Sequence, residues 1–216
     1  FTGVTKEVGG LSGYTPVHPY TAPHAAWGDF DNDGWLDILV VNGAVDLIPE
    51  LVQAKDPFPL HQRNQLFRNL GNARFEEVSA RAGTAFERSE VSRGAAFGDI
   101  DNDGDLDVII TEVAGPPLLL RNDQQLGHHW IRLKLEGTRC NREAIGALIE
   151  VNLRNEVLRR RVMPARSFMS SVELPVTIGI GNRTHVDEVN IIWPDGSKQA
   201  VPNVRIDNLT HVKQAG

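Results

Sequence analysis

The sequence has little of what marks several common protein classes. Cys140 is the only cysteine among 216 residues, so the chain can form no internal disulfide and contains no C-x-x-C motif. No apolar run approaches the roughly 18 residues that a membrane-spanning helix requires. A basic excess is also missing, because the formal net charge is −6. General nucleic-acid binding is therefore disfavoured, since it requires basic side chains against phosphates, and metal ions or basic partners are favoured.

Familiar enzyme motifs are missing as well. Gly179-Ile180-Gly181 lacks the third glycine of a dinucleotide-binding fingerprint, and the sequence has no P-loop, H-E-x-x-H or G-x-S-x-G motif. What the chain has in quantity is turn-forming residues, with 20 glycines and 12 prolines. Its length suits one large domain or two modest ones. It begins at Phe1 without a methionine, which we interpret as a piece of a longer chain.

Acidic residues are concentrated in two nine-residue runs. DFDNDGWLD begins at Asp29, and DIDNDGDLD repeats the pattern 70 residues later from Asp99. A hard cation such as Ca²⁺ takes about six to eight oxygen ligands, and a glycine at position 6 allows the sharp turn that brings them together. The sequence therefore predicts two structural calcium sites. The predicted ligands are the carboxylates of Asp29, Asp31, Asp33 and Asp37 with the carbonyl of Trp35, and the carboxylates of Asp99, Asp101, Asp103 and Asp107 with the carbonyl of Asp105.

Two other interpretations of these runs are weaker. An EF-hand loop closes with a glutamate at position 12 and enters a helix, whereas position 12 here is Val40 or Ile110. The segments that follow are apolar and β-branched, which predicts strands. Aspartates that merely form solvated turns would explain one such run, but the near-complete repetition argues against that explanation.

The acidic runs belong to a larger repeat. Each unit has an F-x-x-V segment, a glycine turn, the acidic run and an apolar stretch, and then ends in QLFRN or LLLRN. Such a unit predicts a sheet of about four short strands, which is typical of a β-propeller blade. The residues 43–63 are predicted to be an inserted surface loop. A propeller has about four to eight blades, so we expect the missing ones upstream, with closure by association as the alternative.

Trp27-Gly28 and Phe97-Gly98, which precede the acidic runs, complete a pattern that resembles the FG-GAP or VCBS-type propeller repeats. The resemblance covers residues 1–126, which we expect to form the blade region. It implies extracytoplasmic calcium-binding blades used for adhesion or ligand display, and it implies no particular ligand.

Residues 127–216 have a different pattern. Ile131, Leu133 and Leu135 alternate with Arg132 and Lys134, which predicts a half-buried strand, and later segments add further strands around a W-P-D-G turn. The motifs H-W, G-T-R-x-N-R, I-G-A and W-P-D-G resemble the ASPIC/UnbV domain that follows such repeats in the cartilage acidic protein family. A second all-β, sandwich-like domain is thus expected, although Cys140 replaces a small hydroxyl residue that is usual there. The resemblance implies no enzymatic activity.

Three polar groups in this part of the chain have alternative interpretations. His128 and His129 are adjacent on a strand and point to opposite faces, so a shared site is disfavoured. The group Arg139, Asn141 and Arg142 suits either an anion site or a hydrogen-bonded turn, and the turn is favoured. The basic run 159–161 is expected to be a solvated strand edge.

Together these patterns predict an all-β protein made of a partial propeller and a C-terminal domain. We expect a calcium-stabilised, extracellular or periplasmic binding or adhesion module that has no catalytic activity of its own. Its partner would be a protein or a glycan, not a nucleic acid, and the chain would not span a membrane. Two alternatives stay open: an accessory C-terminal part of an exported enzyme, and a glycan-binding propeller.

Overall fold

The computed structural model describes residues 11–12, 24–167 and 170–216 of the chain. These residues form seventeen strands, one short α-helix and two short 3₁₀ helices, which confirms the predicted all-β class. The first F-x-x-V segment, at Phe1, lies outside the described residues. No helix among the described residues is long and apolar enough to cross a membrane.

The first sheet forms a propeller-like blade. Its strands are β1 (Leu11–Ser12), β2 (His24–Gly28), β3 (Asp37–Val41), β5 (Gln65–Asn69) and β6 (Phe75–Glu77), in the order β1-β6-β5-β3-β2. The apolar run that follows the first acidic loop becomes β3, which is buried along its whole length. Its β-branched side chains suit such a strand.

The second sheet repeats the first with two strands fewer. It contains β8 (Ser92–Gly98), β9 (Asp107–Glu112) and β10 (Leu118–Leu120), and β9 lies in the middle. About four strands were predicted. The chain continues from β10 into the C-terminal region without a second counterpart of β6, so the sheet has three strands within the described residues.

The connection between β3 and β5 is more ordered than the surface loop that the sequence predicts. It contains a helix, α1 (Pro49–Gln53), and a strand, β4 (Gln62–Arg63). A proline in the first turn favours the start of a helix, because its fixed φ is already helical. Strand β4 pairs with β7 (Ser89–Glu90), which follows two 3₁₀ helices at Ser79–Arg81 and Thr84–Glu87.

The C-terminal region contains two further sheets. One has the order β14-β11-β17, from β11 (His129–Glu136), β14 (Val176–Gly181) and β17 (Leu209–Lys213). The other has the order β13-β12-β15-β16, from β12 (Leu148–Leu153), β13 (Glu156–Arg161), β15 (Glu188–Ile192) and β16 (Lys198–Ala200). Both sheets contribute to one core, which includes Ile131, Ile178, Ile149, Ile191 and Trp193. The arrangement is the sandwich-like one that the sequence predicts.

Two details of this region differ from the sequence-based expectation, and one agrees. The β12–β13 hairpin turns at residues 154–155, one residue before the Asn155-Glu156 pair that the sequence predicts for this turn, and Arg154 has a φ of +49°. Strand β17 was not predicted, because its pairing with β11 is parallel and brings together distant segments. The W-P-D-G turn is confirmed by a 2.9 Å hydrogen bond from Gly196 N to Trp193 O.

The two blades share one core and define two opposite ends. Leu39, Val41, Phe97 and Ile110 pack together there, and Val172 of the C-terminal region joins them. In an antiparallel sheet successive connections alternate between ends. The acidic loops, which link β2 to β3 and β8 to β9, therefore lie at one end, and the α1–β4 connection lies at the other.

Candidate metal centre

The first acidic loop gathers three carboxylates at the end of the first blade. One oxygen from each of Asp29, Asp31 and Asp33 lies within 4.8 Å of the others. Backbone N–H groups of the turn donate to carboxylates of the same loop: Asp33 N donates to Asp31 Oδ1 at 3.2 Å, and Trp35 N donates to Asp33 Oδ1 at 2.8 Å. Gly34 follows with a φ of +97°, a conformation that a residue without a Cβ adopts at little cost.

Asp29 is the most deeply placed of these residues. Only 2% of it is exposed, and its Oδ2 accepts hydrogen bonds from Gly34 N at 3.2 Å and Gly179 N at 3.1 Å. Its Oδ1 is buried and receives no hydrogen bond from the part of the chain that the structure describes. Burial raises the pKa of Asp29 to about 7, despite the nearby Arg160. A buried carboxylate oxygen without a donor, next to two further carboxylates, fits a bound cation.

Asp37 lies outside the group of three and ties the loop to the sheet. Its Oδ2 accepts a hydrogen bond from Phe30 N at 3.0 Å, and its Oδ1 accepts one from Asn69 N at 2.8 Å. Burial raises its pKa to about 8, against these two hydrogen bonds. The carboxylate of Asp37 thus joins the beginning of the loop to the end of β5. Its role as a metal ligand stays a prediction.

An arginine also lies at the first loop. Arg68 Nε is 2.6 Å from Asp31 Oδ2, and Arg68 Nη2 is 3.3 Å from Asp33 Oδ2. Burial acts to lower the pKa of Arg68, but the two carboxylates raise it overall. The guanidinium partly balances the charge of the loop. The only sequence signal for this contact was the R-N dipeptide that ends each repeat unit.

The second loop brings carboxylates together in two overlapping groups. Asp99, Asp101 and Asp107 form one of them. The other consists of Asp101, Asp103 and Asp123. Sequence reasoning missed Asp123, because it follows the second R-N dipeptide where the first unit has Leu70.

The local bonding of the first loop recurs in the second. Asp99 Oδ1 accepts a hydrogen bond from Asp103 N at 3.1 Å, and its Oδ2 accepts one from Gly104 N at 3.1 Å. Asp107 accepts hydrogen bonds from Ile100 N at 2.9 Å and Asn122 N at 2.8 Å. Asp107 therefore ties its loop to the sheet as Asp37 does, which the near-identical sequences explain.

Asp105 connects the two loops. Its Oδ1 accepts a hydrogen bond from Gln124 Nε2 at 2.8 Å and another from Asn32 Nδ2 at 2.8 Å. Burial raises the pKa of Asp105 to about 6. The side chain of Asp105 thus forms hydrogen bonds that link the second loop to Asn32 of the first. The backbone carbonyl ligands proposed at Trp35 and Asp105 stay predictions.

Two arginines of the C-terminal region reach the first aspartate of each loop. Arg160 is buried, donates from Nη2 to Gly34 O at 2.8 Å and lies 3.6 Å from Asp29 Oδ2. Arg132 forms an ion pair with Asp99 and a second one with Glu173. The expectation that Arg132 faces solvent was therefore wrong, and so was the expectation of a solvated Arg160. In both cases a buried carboxylate on another element balances the charge, as a buried cation requires.

Backbone and aromatic contacts complete this junction. Gly181 N donates to Asn32 O at 2.9 Å. Gly179 lies against the backbone of Asn32, and Gly104 lies against the indole of Trp130, so closely that neither site has room for a Cβ. The acidic loops therefore lie between the blades and the C-terminal sheets.

The remaining polar candidates have local partners. His128 Nδ1 lies 2.6 Å from Asp31 O, whereas His129 Nδ1 lies 2.7 Å from Asp207 Oδ2, so the two histidines do not share a site. Asn141 Oδ1 accepts a hydrogen bond from Ile145 N at 2.7 Å, and Asn141 Nδ2 donates to Ile145 O at 2.9 Å. This pattern favours the hydrogen-bonded turn over an anion site.

Comparisons with known proteins match two family models in different parts of the chain. The family model described as FG-GAP-like repeat matches residues 46–110, which include the second acidic loop, and the one described as ASPIC and UnbV matches residues 137–216. The predicted resemblance to both families is confirmed. Cartilage acidic protein 1 of Mus musculus is 27% identical over 176 residues, 78% of this chain and 25% of that protein. Its Homo sapiens counterpart is 27% identical over 192 residues, 85% of this chain and 26% of that protein. The chain thus spans about a quarter of the length of these relatives.

Proposed function

We propose that this chain is a calcium-stabilised binding module of an extracellular or periplasmic protein, with a structural and not a catalytic role for the metal. Residues 1–126 would form the blades and residues 127–216 the C-terminal domain. The observation that carries the proposal is Asp29 Oδ1, a buried carboxylate oxygen that no donor of the described residues satisfies, beside Asp31 and Asp33.

The chemistry of the donors favours calcium over other metals. All three groups consist of carboxylates, without histidine or cysteine, and hard oxygen donors suit Ca²⁺ and Mg²⁺ rather than zinc or copper. The donors lie on loops and not on a rigid octahedral frame, which suits the larger and more adaptable coordination of Ca²⁺. The bound ion would offset the repulsion between the carboxylates of the loop. Its binding would therefore stabilise the folded chain.

The binding role is supported by the similarities and by the sequence. The chain resembles the FG-GAP-like repeat, and its relatives are named for cartilage, a tissue that consists largely of extracellular matrix. The sequence contains no P-loop, H-E-x-x-H or G-x-S-x-G motif. We therefore infer that the blades display a binding surface for a protein or a glycan, and that calcium keeps this surface in shape.

The test is a calorimetric titration of chelator-treated protein with Ca²⁺ and with Mg²⁺, combined with thermal melting in each ion. We expect about two calcium sites, weaker magnesium binding and a higher melting temperature in calcium. The double variant Asp31→Asn with Asp101→Asn should lose most of the binding. Asp46→Asn, which removes an exposed carboxylate outside both loops, is the matched control. The absence of any calcium binding by the unaltered chain would overturn the proposal.

A further inference from the structure

A pocket at the end of the first blade opposite the acidic loops is not used by the calcium chemistry. It lies between the α1–β4 connection and the two 3₁₀ helices that follow β6, and its volume is about 800 Å³. Ligand pockets in proteins have volumes of roughly 300–1,000 Å³. We propose that this pocket binds a basic side chain, above all an arginine, on a partner protein.

The walls of the pocket are held together by backbone pairing. In the β4–β7 pair, Gln62 lies opposite Glu90 and Arg63 lies opposite Ser89. The α1–β4 connection is closed on itself by hydrogen bonds from Ala44 N to Leu60 O at 3.0 Å and from Ile48 N to Pro59 O at 3.2 Å. The inserted segment, residues 43–63, therefore builds one wall of a formed pocket.

One part of the lining is apolar. Ile48 and Leu51 contribute from the α1 side, and Phe86 contributes from the second 3₁₀ helix. Ile48 is buried, whereas Leu51 and Phe86 are half-buried. Partly exposed apolar side chains in a pocket offer a surface for the aliphatic part of a ligand.

The other part of the lining is acidic. Glu50, Glu77 and Glu87 supply three carboxylates, against one guanidinium from the exposed Arg63. Glu77 is fixed in place, since its Oε1 accepts hydrogen bonds from Gln65 Nε2 at 3.2 Å and from Ser79 Oγ at 3.1 Å. The pocket therefore combines an oriented carboxylate and a negative balance with an apolar wall.

An arginine side chain matches this combination. Its aliphatic stem would lie along Ile48 and Leu51, its guanidinium would pair with Glu77, and the half-buried Phe86 would supply a cation–π contact. The net charge of −6 also favours approach of a basic partner. A sulfated glycan would be repelled by the carboxylates. A neutral glycan would leave the fixed charge of Glu77 unpaired.

This inference rests on the proposed binding role but not on the calcium sites, because no carboxylate of either acidic loop lines the pocket. The probe is an octapeptide of alternating arginine and glycine, titrated into the whole chain in calcium buffer and followed by calorimetry. The same peptide with serine in place of arginine, and a panel of neutral glycans, are the competing ligands. We expect saturable binding of the arginine peptide at one site, and no binding of the serine peptide.

Glu77→Gln and Glu87→Gln test the site. Glutamine keeps an acceptor for Gln65 and Ser79, so Glu77→Gln should fold normally, and its melting temperature checks this. We expect about a tenfold loss of peptide affinity in Glu77→Gln, because the guanidinium loses its charged partner. Glu87 is exposed on the rim, so a smaller loss is expected there. Glu143→Gln removes an exposed carboxylate of the C-terminal region and should bind like the unaltered protein.

Three results would overturn the pocket assignment: equal peptide affinity in all variants, loss of binding only in Asp31→Asn, or binding of a neutral glycan in place of the peptide. A calcium titration of Glu77→Gln separates the two proposals. Unchanged calcium binding together with weakened peptide binding supports both. Peptide binding at this pocket without any calcium binding would remove the calcium proposal and leave the pocket in place.

Discussion

Arg160, on strand β13 of the C-terminal region, is buried against Asp29 of the first acidic loop, with its Nη2 3.6 Å from Asp29 Oδ2. Arg132 has the same relationship to Asp99 in the second loop. Each loop therefore has its first aspartate paired with a cation from a distant part of the chain. The acidic loops and the junction between the two regions are therefore one structural unit, and any ion bound at the loops would act together with these arginines.

Arg160→Met tests how much this junction contributes. The substitution leaves the buried Asp29 without its cation, and breaking a buried ion pair costs about 3–5 kcal/mol. Arg159→Met is the matched control, because Arg159 is exposed and pairs with Glu150 at 2.8 Å. A surface pair contributes about 0–1 kcal/mol. Urea unfolding of both variants measures the difference, and equal costs would show that the Arg160 contact is unimportant.

Gly104→Ala tests the contact between the second loop and Trp130. Gly104 has a φ of +93°, and a Cβ there would overlap the indole. Gly196→Ala is the control, since Gly196 has a φ of +83° with no atom within 4 Å of the added Cβ. The control should lose about 1 kcal/mol of stability for its backbone conformation, and Gly104→Ala should lose several times more. Similar losses in urea unfolding would mean that Trp130 moves aside without cost.

Local patterns in the sequence were sufficient for much of the fold. The strands after the acidic loops follow from β-branched apolar runs, and the turns within the loops follow from Asp-x-Asp spacing and from Gly34 and Gly104. These features depend on residues a few positions apart. The all-β class could therefore be predicted.

The contacts around the loops could not be predicted in this way. Arg160 and Asp29 are 131 residues apart, and strand alternation indicated an exposed position for Arg132. Burial of an arginine depends on a carboxylate that only the tertiary fold brings near. Asp123 could not be predicted as a member of the site either, because its position beside Asp101 depends on the path of the chain after β10.

Calcium removal should destabilise the junction between the acidic loops and the C-terminal sheets more than it destabilises the hydrophobic cores. Gly179 N donates to Asp29 Oδ2 and Gly181 N donates to Asn32 O, so both amides depend on the first loop. In hydrogen exchange we expect these two amides to exchange at least tenfold faster in chelator than in calcium. Val151, which is buried in the C-terminal core, should change little. Equal protection of all three amides in both buffers would contradict a role for calcium at the junction.

The stability of the protein in chelator should fall as the pH rises from about 4 to about 8. Burial raises the pKa of Asp29 to about 7 and that of Asp37 to about 8, from 3.8. Between the unfolded and folded values the folded chain binds more protons than the unfolded chain, so unfolding releases protons and is favoured by higher pH. In saturating calcium the ion holds the carboxylates in their ionised form, and this decline should be removed or reversed. Melting temperatures at pH 5, 6, 7 and 8 in both buffers measure the effect, and Asp46→Asn, which keeps both loops, should behave like the unaltered chain. Parallel curves in chelator and calcium would show that neither carboxylate is linked to metal binding.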